Sequence, residues 1–132
     1  MALIDARELI KMAKRDEDVG ADFYQALADR TGDEKLKKRF HEIKEQELMH
    51  SKRFQGMLDE LSDYVPREEN IGDYENSYKS FLSKRTYMET EDAVELARNV
   101  KDDVEGIRLA LSQEKNTLLF FMEMKELIPS NQ

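Results

Sequence analysis

Helical periodicity places an acidic residue inside the apolar stripe of each of three long segments. The polar residues concerned are Glu17, Glu47 with His50, and Glu114. Their apolar neighbours in helical phase are Ile10, Ala13, Tyr24 and Leu27 for the first segment, Phe40, Ile43 and Phe54 for the second, and Ile107, Leu111, Leu118 and Phe121 for the third. An unpaired carboxylate is costly to bury, so each of these glutamates needs a compensating partner.

The same periodicity predicts an all-α domain with long helices at 5–30, 33–61 and 91–128. Gly32 suits the end of the first helix, and Asp33 suits the N-cap of the second. Two long helices joined by so short a link are expected to form an antiparallel hairpin. Pro66, Gly72 and a polar run interrupt the pattern, so residues 62–90 are predicted to form a long crossover.

Composition narrows the classes of function. The chain has 132 residues, no cysteine and a formal net charge of −8. The negative charge argues against a surface for nucleic acid or for an anionic membrane, because both require clustered Lys and Arg. The absence of cysteine excludes disulfides, thiolate zinc sites and iron–sulfur clusters. No apolar run reaches the ~20 residues that span a bilayer, and no signal peptide is recognisable, so a cytoplasmic protein is expected.

The polar residues of the first two segments are predicted to meet. Glu17 precedes Gly32 by fifteen residues and Glu47 follows it by fifteen. With a rise of ~1.5 Å per residue, both lie roughly 22 Å from the hairpin tip and face each other. His50 is one turn further along the same face as Glu47. No Lys or Arg shares these stripes near the cluster, so a metal ion is the predicted partner. Iron or manganese fits these ligands well, and zinc fits less exclusively.

Two long stretches of the sequence are EDVGADFYQALADRTGDEKLKKRFHEIKEQELMHSKRF and AVELARNVKDDVEGIRLALSQEKNTLLFFMEMKELIP. The first resembles the first hairpin, and the second the third helix, of a known family, the rubrerythrins, which are a branch of the ferritin-like di-iron carboxylate proteins. The resemblance implies a ferritin-like helical bundle. It also implies a set of metal ligands: Glu17, Glu47, His50 and Glu114.

The resemblance further implies a di-iron centre that reduces peroxide or oxygen, or that oxidises iron. Manganese or zinc is possible instead of iron. The cysteine-rich module that delivers electrons in full-length relatives is absent, so a separate electron-donor protein is expected. The second Glu-x-x-His, which relatives carry on a fourth helix, is also absent, so a single domain truncated before that helix is expected at 1–132. The alternative function is a non-enzymatic ferritin-like scaffold that binds metal weakly or acts through oligomer assembly.

Two further points stay open at the level of sequence. Tyr24 is either a core aromatic residue or a hydrogen-bond donor to a ligand carboxylate.

The apolar stripe of the third helix, which includes Val100 and Val104, would mark an interaction surface if it were exposed. A homo-oligomer, specifically a two-fold dimer, is therefore expected. His41 lies beside the stripe of its helix and is not expected to bind metal.

Overall fold

The computed structural model describes residues 6–61 and 90–127, which fold into four α-helices. These are α1 (Ala6–Arg30), α2 (Glu34–Glu60), α3 (Thr90–Arg98) and α4 (Asp103–Leu127). Over the described ranges there is no β-strand, and the predicted all-α class is confirmed. None of these helices combines the length and apolar character needed to cross a membrane. The predicted crossover lies outside the described residues except for Thr90, which begins α3.

Helices α1 and α2 form the predicted hairpin, with a link of three residues between them. The backbone N–H of Thr31 donates to the carbonyl of Leu27 over 3.1 Å at the end of α1. Asp33 is the N-cap of α2, because its Oδ1 accepts a 3.0 Å hydrogen bond from the backbone N–H of Leu36. Capping of this kind satisfies a donor that has no partner within the helix.

The prediction of one continuous helix at 91–128 is wrong, because the chain leaves the helix between α3 and α4. Asp102 caps α4 by accepting a 2.9 Å hydrogen bond at Oδ1 from the backbone N–H of Glu105. Short polar side chains of this type offer the backbone a local alternative to a continuous helix. The Arg30 guanidinium donates to the carbonyl of Lys101 over 3.2 Å, which ties this break to the end of α1.

Helix α1 is the central element of the described fold, and it packs against each of the other three helices. Twelve of its 25 residues are buried, whereas α2 buries only Phe40 and Ser51 among its 27. The core is therefore built around α1.

The buried apolar residues form two separate clusters. The base cluster consists of Leu9, Met12, Ala13 and Phe120. The tip cluster lies nearer the α1–α2 link and consists of Val19, Phe23, Tyr24, Ala26, Leu27, Ala28, Phe40, Ala93, Ala97, Val100 and Ala110. Along α1, Glu17 falls between Ala13 of the base cluster and Val19 of the tip cluster. The acidic residues therefore occupy a polar layer between two apolar ones.

The face of α4 that packs inward differs from the predicted stripe. Gly106, Ala110 and Phe120 are buried, whereas four members of the predicted stripe are exposed: Val104, Ile107, Leu111 and Leu118. The buried face of α4 is thus displaced from the predicted stripe by about one residue along the sequence. Because α4 carries apolar residues on more than one side, its pattern does not define a single buried face.

Candidate metal centre

The structure brings Glu17, Glu47 and His50 together between α1 and α2. Each of the three offers a ligand atom, and these atoms all lie within 4.8 Å of one another. Within the group, His50 Nδ1 lies 3.4 Å from Glu17 Oε2, which is an ion-pair distance if the imidazole is protonated. The hairpin creates this arrangement because it places the middle of α1 opposite the corresponding turn of α2.

The three side chains differ in their exposure to solvent. Glu17 is buried, Glu47 is half-buried, and the His50 side chain is 47% exposed. His50 therefore lies at the edge of the polar layer rather than inside it, although its Nδ1 faces Glu17. Glu47 faces the interior of the hairpin, as its place in the stripe of α2 predicted. His50 is more accessible to solvent than its place in the same stripe predicted.

Glu17 has a buried oxygen with no hydrogen-bond partner. Its Oε2 is inaccessible to solvent and accepts no hydrogen bond within the described part of the chain. Buried polar atoms are nearly always satisfied, so an orphaned carboxylate oxygen points to an absent ligand. No Lys or Arg in the described ranges pairs with Glu17, and its one ion-pair contact there is His50. The donor set therefore fits a cation.

Glu47 is surrounded by other carboxylates. Burial, followed by the neighbouring carboxylates of Glu17 and Glu114, raises the pKa of Glu47 from its ordinary value of 4.5 to about 10. A carboxyl group in such surroundings is stable only when it carries a proton or binds a cation. A cation bound here would take the place of that proton.

Glu114 of α4 lies beside Glu47 but outside the Glu17–Glu47–His50 group, and Tyr24 orients it. The Tyr24 hydroxyl donates a 2.7 Å hydrogen bond to Glu114 Oε1. Burial and the nearby Glu114 charge raise the pKa of Tyr24, so the hydroxyl keeps its proton. Both interpretations of Tyr24 hold, because its ring is buried in the tip cluster while its hydroxyl contacts the candidate ligand. Glu114 itself is exposed, unlike its predicted position in a buried stripe.

A cavity of about 150 Å³ lies beside the carboxylates, between α1 and α4. Its lining includes Gly20, Tyr24, Glu47 and Glu114. The space is large enough for several water molecules or a small ligand.

The sequence pattern did not single out Gly20 as a residue of the site. The structure places Gly20 directly against the Glu47 carboxylate. The pattern contained no signal for this, since a glycine carries no functional group. His41 is exposed and is not part of the Glu17–Glu47–His50 group.

The fold and this cluster define a helical protein with a candidate carboxylate–histidine metal site in its middle layer. A comparison with known families matches the rubrerythrin family over residues 8–126, and the chain belongs to that family. Family membership and the Glu/His group together indicate a protein of the di-iron type. No curated protein and no solved structure gives a match to the chain.

Proposed function

We propose that this protein binds two iron ions through Glu17, Glu47, His50 and Glu114, and that this centre carries out redox chemistry. The substrates would be peroxide or oxygen as oxidants, or ferrous iron as the species oxidised. The observation that carries the proposal is the buried Oε2 of Glu17, which accepts no hydrogen bond in the described part of the chain and lies beside Glu47 and His50. Carboxylate and imidazole ligands suit iron and manganese, and they also accommodate zinc.

The protein's own residues would perform distinct tasks in such a centre. Iron, when bound, supplies the change of oxidation state. The carboxylates of Glu17, Glu47 and Glu114 balance the positive charge, and the Tyr24 hydroxyl fixes the orientation of Glu114. The base and tip clusters exclude water from the two ends of the polar layer.

Electrons would come from another protein. The sequence has no cysteine and so no thiolate centre of its own. The half-exposed His50 imidazole is the ligand nearest to solvent among the three grouped side chains. A separate donor protein docking near His50 would reach the proposed centre through this ligand.

The two histidines of the chain provide a matched test of metal binding. The full chain is purified with iron supplied, and its iron content is measured for the wild type, His50→Ala and His41→Ala. His50→Ala should lose iron, and His41→Ala should retain it because His41 is exposed and outside the cluster. Equal iron content in the two variants, or a wild type without iron, would contradict the proposed site.

The alternative function is a non-enzymatic scaffold that acts through assembly, and the exposed apolar residues of α4 favour it. The iron-loaded wild type separates the two functions. Turnover of peroxide or oxygen with a reductant, or oxidation of added ferrous iron, supports the redox function. Stable iron binding with none of these activities supports the scaffold.

A further inference from the structure

We propose that Gly20 is a positioning residue of the metal centre: the missing side chain at this position allows the Glu47 carboxylate to lie against α1, beside Glu17 and Glu114. The inference rests on the proposed metal-binding function and adds a residue that donates no ligand atom.

The backbone does not require glycine at position 20. Gly20 lies in the interior of α1, and no glycine in the described ranges has a positive φ angle. Glycine within a helix is less favourable than alanine, because it loses more conformational freedom when the helix forms. Its presence in the most buried of the described helices therefore needs a reason in the surrounding side chains.

The reason is the closeness of Glu47. A Cβ built on Gly20 would lie 3.3 Å from both Cδ and Oε2 of Glu47 and 3.6 Å from its Cγ. The two distances of 3.3 Å are shorter than ordinary van der Waals contact, and the distance of 3.6 Å is an ordinary one. The other described glycines differ, since a Cβ on Gly32 or Gly56 would meet nothing within 4 Å, and one on Gly106 would make ordinary contacts.

The position of Gly20 along α1 explains why the missing side chain matters for the site. It lies about one turn after Glu17 and one turn before Tyr24, whose hydroxyl holds Glu114. The Glu47 carboxylate therefore lies between the carboxylates of Glu17 and Glu114. From this position it could contribute to the binding of both metal ions of the proposed centre. Metal–carboxylate bonds fall in a narrow range of about 2.0–2.2 Å, so a displacement of a few tenths of an ångström would weaken binding.

The matched experiment compares Gly20→Ala with Gly56→Ala in the full chain. Both substitutions add one methyl group to a helical glycine, and only the first meets Glu47. Co²⁺ serves as the probe, with affinity measured by titration and ligand geometry by visible absorption. Thermal unfolding followed by circular dichroism reports the stability of the metal-free proteins.

We expect Gly20→Ala to bind Co²⁺ about tenfold more weakly or worse, with an altered visible spectrum. Gly56→Ala should bind it like the wild type, and its thermal midpoint should be at least as high. Wild-type affinity and spectrum in Gly20→Ala would overturn the role of Gly20. If the wild type binds no Co²⁺, the proposed function fails, and this inference fails with it.

A double-mutant cycle with Glu47→Asp separates positioning from a general effect on α1. Aspartate is one methylene shorter, so it withdraws the carboxylate from the added methyl group. Gly20→Ala should therefore cost less Co²⁺ affinity in the Glu47→Asp background than in the wild type. An equal loss in both backgrounds would contradict the proposal. So would a Gly20→Ala chain that fails to fold and is not rescued by Glu47→Asp.

Discussion

The phenolic oxygen of Tyr24 lies 2.7 Å from Oε1 of Glu114, and this hydrogen bond joins the centre of α1 to α4 across 90 residues of sequence. Glu114 is exposed, so little packing restrains its carboxylate. The orientation of the candidate ligand from α4 therefore depends on a hydroxyl group supplied by α1.

Removing this hydroxyl should weaken metal binding. Tyr24→Phe keeps the ring in the tip cluster but leaves Glu114 without its donor, so we expect metal affinity to fall roughly 10- to 100-fold. Titration of the metal-free protein with Co²⁺ measures the change. Ser51→Ala is the control, because Ser51 is also buried and its hydroxyl donates to Asp18 over 2.6 Å, outside the ligand set. An equal loss of affinity in the two variants would argue against a specific role for Tyr24.

Neutralising Glu17 should stabilise the metal-free protein while abolishing its site. Glu17→Gln removes a buried charge next to Glu47 and supplies an amide donor, so the free energy of unfolding should rise by about 1 kcal/mol. Urea denaturation measures this change, and iron content measures the loss of binding. Glu45→Gln, at an exposed position of α2, should alter stability by less than about 0.5 kcal/mol. A less stable Glu17→Gln protein would show that Glu17 is already compensated.

The stability of the metal-free protein should fall as pH rises. The folded protein holds the Glu47 proton more tightly than the unfolded chain does, because its folded-state pKa is raised from 4.5 to about 10. The stability that this proton contributes is fully present below pH 4.5 and is lost as pH rises towards about 10. Thermal midpoints measured across this range should decline for the wild type and decline less for Glu47→Gln. Parallel curves for the two proteins would contradict the assignment.

Metal affinity should have the opposite pH dependence. A metal ion must displace the Glu47 proton, so binding should release protons and tighten as pH rises. Calorimetric titration in buffers of different ionisation enthalpy counts the protons released. Glu47→Gln serves as the comparison because its amide has no proton to displace in this range. If both proteins release the same number of protons, the displaced proton comes from a group other than Glu47.

We also propose that a second copy of the chain covers the outer apolar face of α4. Six large apolar side chains are exposed on α4: Val104, Ile107, Leu111, Leu118, Leu119 and Met122. An apolar patch of this kind is self-complementary under two-fold symmetry. Light scattering coupled to size exclusion should give a dimer at micromolar concentration. Leu118→Glu should convert it to monomer, whereas Leu96→Glu on α3 should not. A wild-type monomer would contradict the proposal.

The sequence predicted the hairpin well because its signals are local. Thr31–Asp33 contains both the end of one helix and the cap of the next, and the equal distances of Glu17 and Glu47 from Gly32 follow from helical rise alone. The grouping of Glu17, Glu47 and His50 needs no information beyond the hairpin itself.

The arrangement around α4 could not be predicted in the same way. Its inward face depends on which of several apolar sides meets α1, and that choice is made by tertiary packing rather than by periodicity. The break at residues 99–102 depends on a cap at Asp102 that competes with a continuous helix. The role of Gly20 depends on the position of a side chain from another helix, which no local pattern encodes.

The short link between α1 and α2 also has a consequence for how the protein is made. Three of the four candidate ligands lie in the first 50 residues, whereas Glu114 follows 64 residues after His50. Contacts between segments close in sequence form faster than distant ones, because less chain entropy is lost in closing the loop. We therefore expect the hairpin to assemble its carboxylates and imidazole before α4 docks. A metal ion captured at that stage would act as a template on which the later helix completes the bundle.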